Sequence, residues 1–308
     1  MPGLRRGAAS AAFAAGLAVI GGAFAVGAYE FGPLLAVGAF VAVAVALVVF
    51  LHPMWGVYGA ILAVPLEFAS TKFGSSFSLT PTKALMLLTA GAVAVRLLTT
   101  RERVALHGSH IAFAALLGVI ALGITAAVDT FVTERILTIW TAVFLSAIWV
   151  AGADRDQVQR VMTCIALSGA ALGLLALMGA GPQDLQQGGA VATNRAAGSF
   201  THPNQLGAYM VLALPVSIVL AAERRGLWRV VMLLAVALEV AGLTLTLARA
   251  AIIGAAVAGV VLMVWPSYRR IMVGLLAVIL IILVVNPKAI QTHEVQTLTA
   301  RLSTVQNF

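Results

Sequence analysis

Three residues that could do chemistry together, Arg195, His202 and Asn204, fall within ten positions in the stretch NRAAGSFTHPNQLGAYM at 194–210. A guanidinium keeps its charge at any working pH and grips oxygen pairs in a fork. Pro203 forces His202 into extended backbone and suits the first turn of a helix. The His-Pro-Asn step therefore predicts a helix start, whose free N–H groups and positive dipole end attract anions. An arginine beside such an end makes a site for phosphate or another anion. Alone, Arg195 also fits a solvated loop, and His202 reads equally as a cap or as a ligand contact or base.

A second cation, Arg249, lies in LTLTLARAAIIG. By itself it fits a side chain reaching for the membrane interface. Paired with Arg195 it would hold a pyrophosphate, whose charge is split between two groups. The tail NPKAIQTHEVQTLTARLSTVQNF adds His293 and Arg301, a candidate base and a further anion contact, with Glu294 two helical turns before Arg301. Glu239 sits inside an apolar run, where a carboxylate is costly and often functional, or else protonated or paired within the bundle. Pro215 predicts a kink that widens a groove or only serves packing.

The elements that position these groups follow from composition. Of 308 residues, 61% are hydrophobic and 10% charged, whereas a soluble domain carries about 25% charged residues. Apolar runs of roughly 18 residues or more recur along the whole length. The fold class expected is all-α, a polytopic integral membrane helical bundle forming one domain over 1–308. About eleven spans are predicted, near 8–28, 33–51, 55–69, 80–98, 110–128, 132–151, 158–180, 205–222, 229–247, 249–265 and 270–286. The third is short and could be re-entrant. Residues 181–204 form an outer-face loop, and 287–308 begin an extracytoplasmic one. Cys164 reads as a small buried filler and excludes an intrachain disulfide.

Charge sets the sidedness. With the N-terminus cytoplasmic, twelve of the 19 cations face inward, among them Arg5, Arg6, Arg96, Arg224, Arg225, Arg269 and Arg270. The remaining seven, including Arg195 and Arg249, face outward, which is the expected bias. The turn at Arg249 carries much of this count. From Val230 to Trp265 there are 36 residues with only Glu239 and Arg249 charged. A single helix of that length would measure about 54 Å against a hydrocarbon core of about 30 Å, so the run must fold back.

No basic run is interleaved with aromatics, which sets nucleic acid aside. No H-E-x-x-H, paired-cysteine or aspartate-rich metal motif occurs, nor a phosphate-binding or dinucleotide glycine loop. The expectation is no metal and no cofactor, with membrane lipid as the surroundings.

RAAGSFTHPNQLGAYMVLALP at 195–215 and LTLTLARAAIIGAAVAGVVLM at 243–263 resemble the two signatures of the O-antigen ligase and polysaccharide polymerase superfamily of bacterial membrane proteins. The tail ARLSTVQNF is similar to the start of that family's large extracytoplasmic loop. Ala248 stands where the family has Ser, and Ala250 where Gly is common. The chain stops inside the loop, so the resemblance implies a C-terminally truncated member. It also implies transfer of a glycan from an undecaprenyl-diphosphate carrier to a glycan or lipid-glycan acceptor, at the outer face of the cytoplasmic membrane. Arg195 and Arg249 would then bind the diphosphate and stabilise it as it leaves, with His293 the candidate base. The alternatives are a lipid-linked glycan transporter or flippase, and a non-catalytic family member.

Overall fold

The computed structural model describes residues 33–67, 71–73, 77–100, 108–123, 130–179, 196–200, 202–246 and 248–274. Among them the chain is helical apart from one ribbon of two three-residue strands, β1 Thr71–Phe73 and β2 Phe77–Leu79. The helices are α1 Pro33–Leu51, α2 Pro53–Leu62, α3 Pro81–Thr100, α4 Gly108–Gly123, α5 Thr130–Ala151, α6 Arg155–Leu177, α7 Pro203–Glu223, α8 Leu227–Thr246 and α9 Arg249–Met263. A tenth, α10, covers 266–274. Proline opens α1, α2, α3, α7 and α10, where its missing N–H and fixed φ cost nothing.

Four described helices, α3, α6, α7 and α8, are long and apolar enough to cross a membrane. Shorter apolar segments lie at Val37–Leu51, Gly108–Gly123, Ile136–Ala151 and Ala250–Met263. Many of their large apolar side chains face outward, Phe40, Leu122, Val257 and Val260 among them, as a lipid-facing surface requires. The count of long spans among the described residues is thus four, against about eleven expected. The expected span at 8–28 and most of that at 270–286 lie outside the described residues.

The chain forms two compact units. In the first, α3 packs against α1 and α5, and α4 packs against α5. Phe113 meets the edges of Trp140 and Phe144 at 5.7 and 5.4 Å. Arg96 lies 5.6 Å over the Trp149 ring and donates to the Leu51 carbonyl at the end of α1.

That contact sets the course of the third expected span. A Cβ on Gly56 would collide with Thr89, and one on Gly59 would touch Leu85, so α2 runs antiparallel to α3. The chain therefore leaves α1 beside Arg96 and must climb back to Pro81, about 22 Å at 1.5 Å per residue. A ten-residue α2 supplies only about 15 Å of that. Over the third expected span, 55–69, which the sequence leaves short and open to a re-entrant course, the α-helix is brief. It stops at Leu62, and a 3-10 turn at Val64–Leu66 replaces it, because Pro65 cannot continue the α ladder.

The second unit holds α6 from Gln159 onward and α7 to α10, together with Ile61–Thr71. Its core joins Leu172 and Ala176 of α6, Leu206 and Met210 of α7, Leu243 of α8 and Ala251 of α9. The motif GAALG at 169–173 puts Gly169 and Gly173 on one face of α6, and both press on α8. A Cβ on Gly173 would overlap the Leu238 carbonyl, and one on Gly242 would strike Gly173 itself. Small residues four apart let helix backbones approach this closely where lipid offers no hydrophobic drive.

Candidate functional site at two helix N-termini

The 36-residue apolar run does fold back. α8 ends at Thr246 and α9 starts at Arg249, with Ala248 extended at φ −84°, ψ 100° between them. Thr246 builds the break from its own hydroxyl: Oγ1 donates to the Leu243 carbonyl and accepts from the Ala248 N–H. Such local bonds offer the backbone an alternative to the helical ladder.

α9 then lies along α7. A Cβ on Gly207 would stand 2.8 Å from that of Ala251 and 3.2 Å from that of Ala248, and Gly254 faces Val211. The contacts advance together along both helices, so α7 and α9 run parallel. Their N-termini share one end of the unit, and two positive helix ends sit side by side there.

The polar connection before α7 is clasped to this end. Ala196 donates its N–H to the Leu245 carbonyl at 3.0 Å, and Ser199 Oγ donates to the Val64 carbonyl at 3.0 Å. Gly198 turns the chain at φ +59°, a backbone state that glycine adopts without steric cost. Ala197, Ser199, Thr246 and Ala248 are all buried.

The sequence-predicted residues fall as follows. His202 is the N-cap of α7, extended at φ −140°, ψ 135°, and its Nδ1 accepts from the Asn204 N–H at 3.2 Å. Accepting at Nδ1 leaves the proton of a neutral ring on Nε2, so the exposed imidazole presents a donor. Asn204 occupies the first turn and is also exposed. Arg249 is the first residue of α9, and its side chain lies outside the described part. Arg195, His293 and Arg301 lie outside the described residues. Arg195 is the covalent neighbour of the clasped Ala196, and Leu245 precedes Arg249 by four residues, a reach of at most about 14 Å.

Sequence reasoning missed the surroundings of Glu239. Its side chain has no exposed surface and stands between α6, α7 and α8. Ser217 of α7 donates to Oε1 at 2.8 Å. Oε2 has no hydrogen-bond partner among the described residues, whereas the buried hydroxyls of Ser168 and Tyr209 interact with each other. Ser168, Glu239 and Cys164 are the groups that act on the Tyr209 hydroxyl. The available signal was Ser168 beside the glycine pair, and Tyr209 and Ser217 eight residues apart on one face of α7.

Apolar helices of membrane-crossing length, lipid-compatible outer faces and a carboxylate sealed among them define a helical membrane protein. Comparison with family models, curated proteins and solved structures gives no match.

Proposed function

We propose that this chain transfers a glycan from a polyprenyl-diphosphate carrier to a glycan or lipid-glycan acceptor, as a ligase or polymerase of a cell-surface polysaccharide in the manner of the O-antigen ligase superfamily. One observation carries the reading. The Ala196–Leu245 clasp and the parallel N-termini of α7 and α9 bring the backbone neighbours of Arg195 and Arg249 to one end of the second unit. Two guanidinium groups reaching two positive helix ends would suit a diphosphate, the leaving group of such a transfer. Negative charge grows on it as the sugar–phosphate bond breaks, and cations placed beforehand lower that barrier. The imidazole of His202 offers a further hydrogen-bond donor, and Asn204 an amide beside it. His293 is the proposed base for the acceptor hydroxyl and Arg301 a further contact to the donor.

The topology that accompanies this reading has about eleven crossings in the cytoplasmic membrane, a cytoplasmic N-terminus and the site on the extracytoplasmic face. The distribution of cations supports it. The antiparallel course of α2 along α3 is compatible with a third crossing although its helix is short.

The test is transfer from purified lipid-linked donor by the full chain in proteoliposomes. Arg195→Ala and Arg249→Ala are each expected to lose at least about 100-fold in rate, the scale for removing one stabilising donor from a developing anion. Unimpaired transfer by both variants would end the reading. A lipid-linked glycan transporter is the second reading, and the buried Glu239 cluster favours it. It predicts translocation of the donor across the bilayer without any transfer.

A further inference from the structure

The groups around Glu239 form a site of their own. Three helices meet there. α6 supplies Ser168 and the bare backbone of Gly169, α7 supplies Tyr209, Ala213 and Ser217, and α8 supplies Glu239. Glu239 Oε2 has no hydrogen-bond partner among the described residues, and the hydroxyls of Tyr209 and Ser168, which interact with each other, belong to the same cluster. A buried carboxylate needs a counter-charge or a proton, because an unpaired ion in a low-dielectric interior is far too costly. No described arginine, lysine or histidine faces it. The titratable groups from the packed helices are Tyr209 of α7 and, beyond it, Cys164 of α6, neither of which supplies positive charge.

The space decides between a metal ion and a proton. A Cβ on Gly169 would overlap Glu239 Oε1 and the Ala213 methyl, and one on Gly173 would overlap the α8 backbone. A cage of six oxygens around a metal ion does not fit between faces packed this closely, whereas a proton needs no cage. The Tyr209 hydroxyl, near enough to feel the Glu239 charge and linked to Ser168, is the candidate to share that proton.

We propose that Glu239 is a proton-binding site in the interior of the bundle, carrying the proton on Oε2 and sharing it with Tyr209 and Ser168. Loading forms an O–H bond on Oε2 at the expense of a solvent hydronium, which leaves as water. Release returns the proton to water and leaves a bare carboxylate between α6 and α8. The glycine faces of α6 must part from α8 before water can reach that charge, so proton occupancy and helix packing change together. The site lies seven residues, about 10 Å, from the α8 end that carries Thr246. The proposal stands independently of glycan transfer.

Infrared difference spectroscopy of the full chain in lipid, at neutral pH, tests it. Wild type minus Glu239→Gln is expected to contain the carbonyl band of a protonated carboxylic acid. Tyr209→Phe and Ser168→Ala, each removing one hydroxyl, are expected to shift that band without abolishing it. A difference spectrum holding only carboxylate bands would overturn the proposal, and so would an acid band that neither hydroxyl variant moves. Should Glu239→Gln not fold, the two hydroxyl variants decide alone: a shifted acid band supports the site, and an unshifted one removes it.

Discussion

At the scale of single residues, His202 divides into a structural and a chemical part that can be separated. As N-cap of α7 it satisfies the Asn204 N–H, and losing a good cap costs about 1 kcal/mol. His202→Ala is therefore expected to lower the unfolding midpoint in detergent. His202→Asn, an excellent cap, should restore it. If the exposed ring contacts the donor, His202→Asn will be stable yet slow in transfer, and a parallel measurement of both quantities checks this. The His-Pro-Asn pattern made the cap legible in the sequence, because proline constrains its own residue and the one before it. The Glu239 partners were not legible, since Ser168 and Ser217 lie 49 residues apart in the chain and meet only through packing.

At the scale of elements, glycine sets how closely helices approach. Gly207 holds α7 against α9 at the shared N-terminal end, where an added methyl would meet Ala251 at 2.8 Å. Gly207→Ala is expected to destabilise the protein by about 1–3 kcal/mol, the range for overpacking, and to slow transfer by spreading the two helix ends. Gly91 of α3 is the control. Its added Cβ would meet nothing within 4 Å, so Gly91→Ala should be neutral or raise stability by up to about 1 kcal/mol. Equal losses in the two variants, measured by thermal unfolding, would show that the α7–α9 contact has no special weight. Helix positions were largely readable from apolar run length. α1 occupies the expected 33–51 span, and α7 and α8 begin and end within two residues of theirs. Within the short third span, the end of the helix at Leu62 was not readable, because hydropathy counts apolar residues without regard to the ladder that Pro65 interrupts.

At the scale of the whole molecule, sidedness is the quantity on which the proposed function turns. In a Cys164→Ser background, cysteine placed at Asn204 is expected to react with an impermeant thiol reagent added outside intact cells. Cysteine at Arg225, at the opposite end of α7, should react only after the membrane is opened. The reversed pattern would put the two helix N-termini with the cytosol and remove a lipid-linked donor from reach. The amino-acid sequence by itself determined that this is a helical membrane protein, since the scarcity of charge and the length of the apolar runs leave the backbone no other solution in lipid. It also determined that the run from Val230 to Trp265 must fold back, because one helix of that length is too long for the bilayer. Only the tertiary structure decided that α9 returns along α7 rather than along α8, that Ala196 clasps Leu245, and that Glu239 is sealed among three helices. Those outcomes rest on which small side chains face each other across a gap. Hydropathy is blind to them, because a glycine that admits a neighbouring backbone and one that faces empty space contribute the same to it.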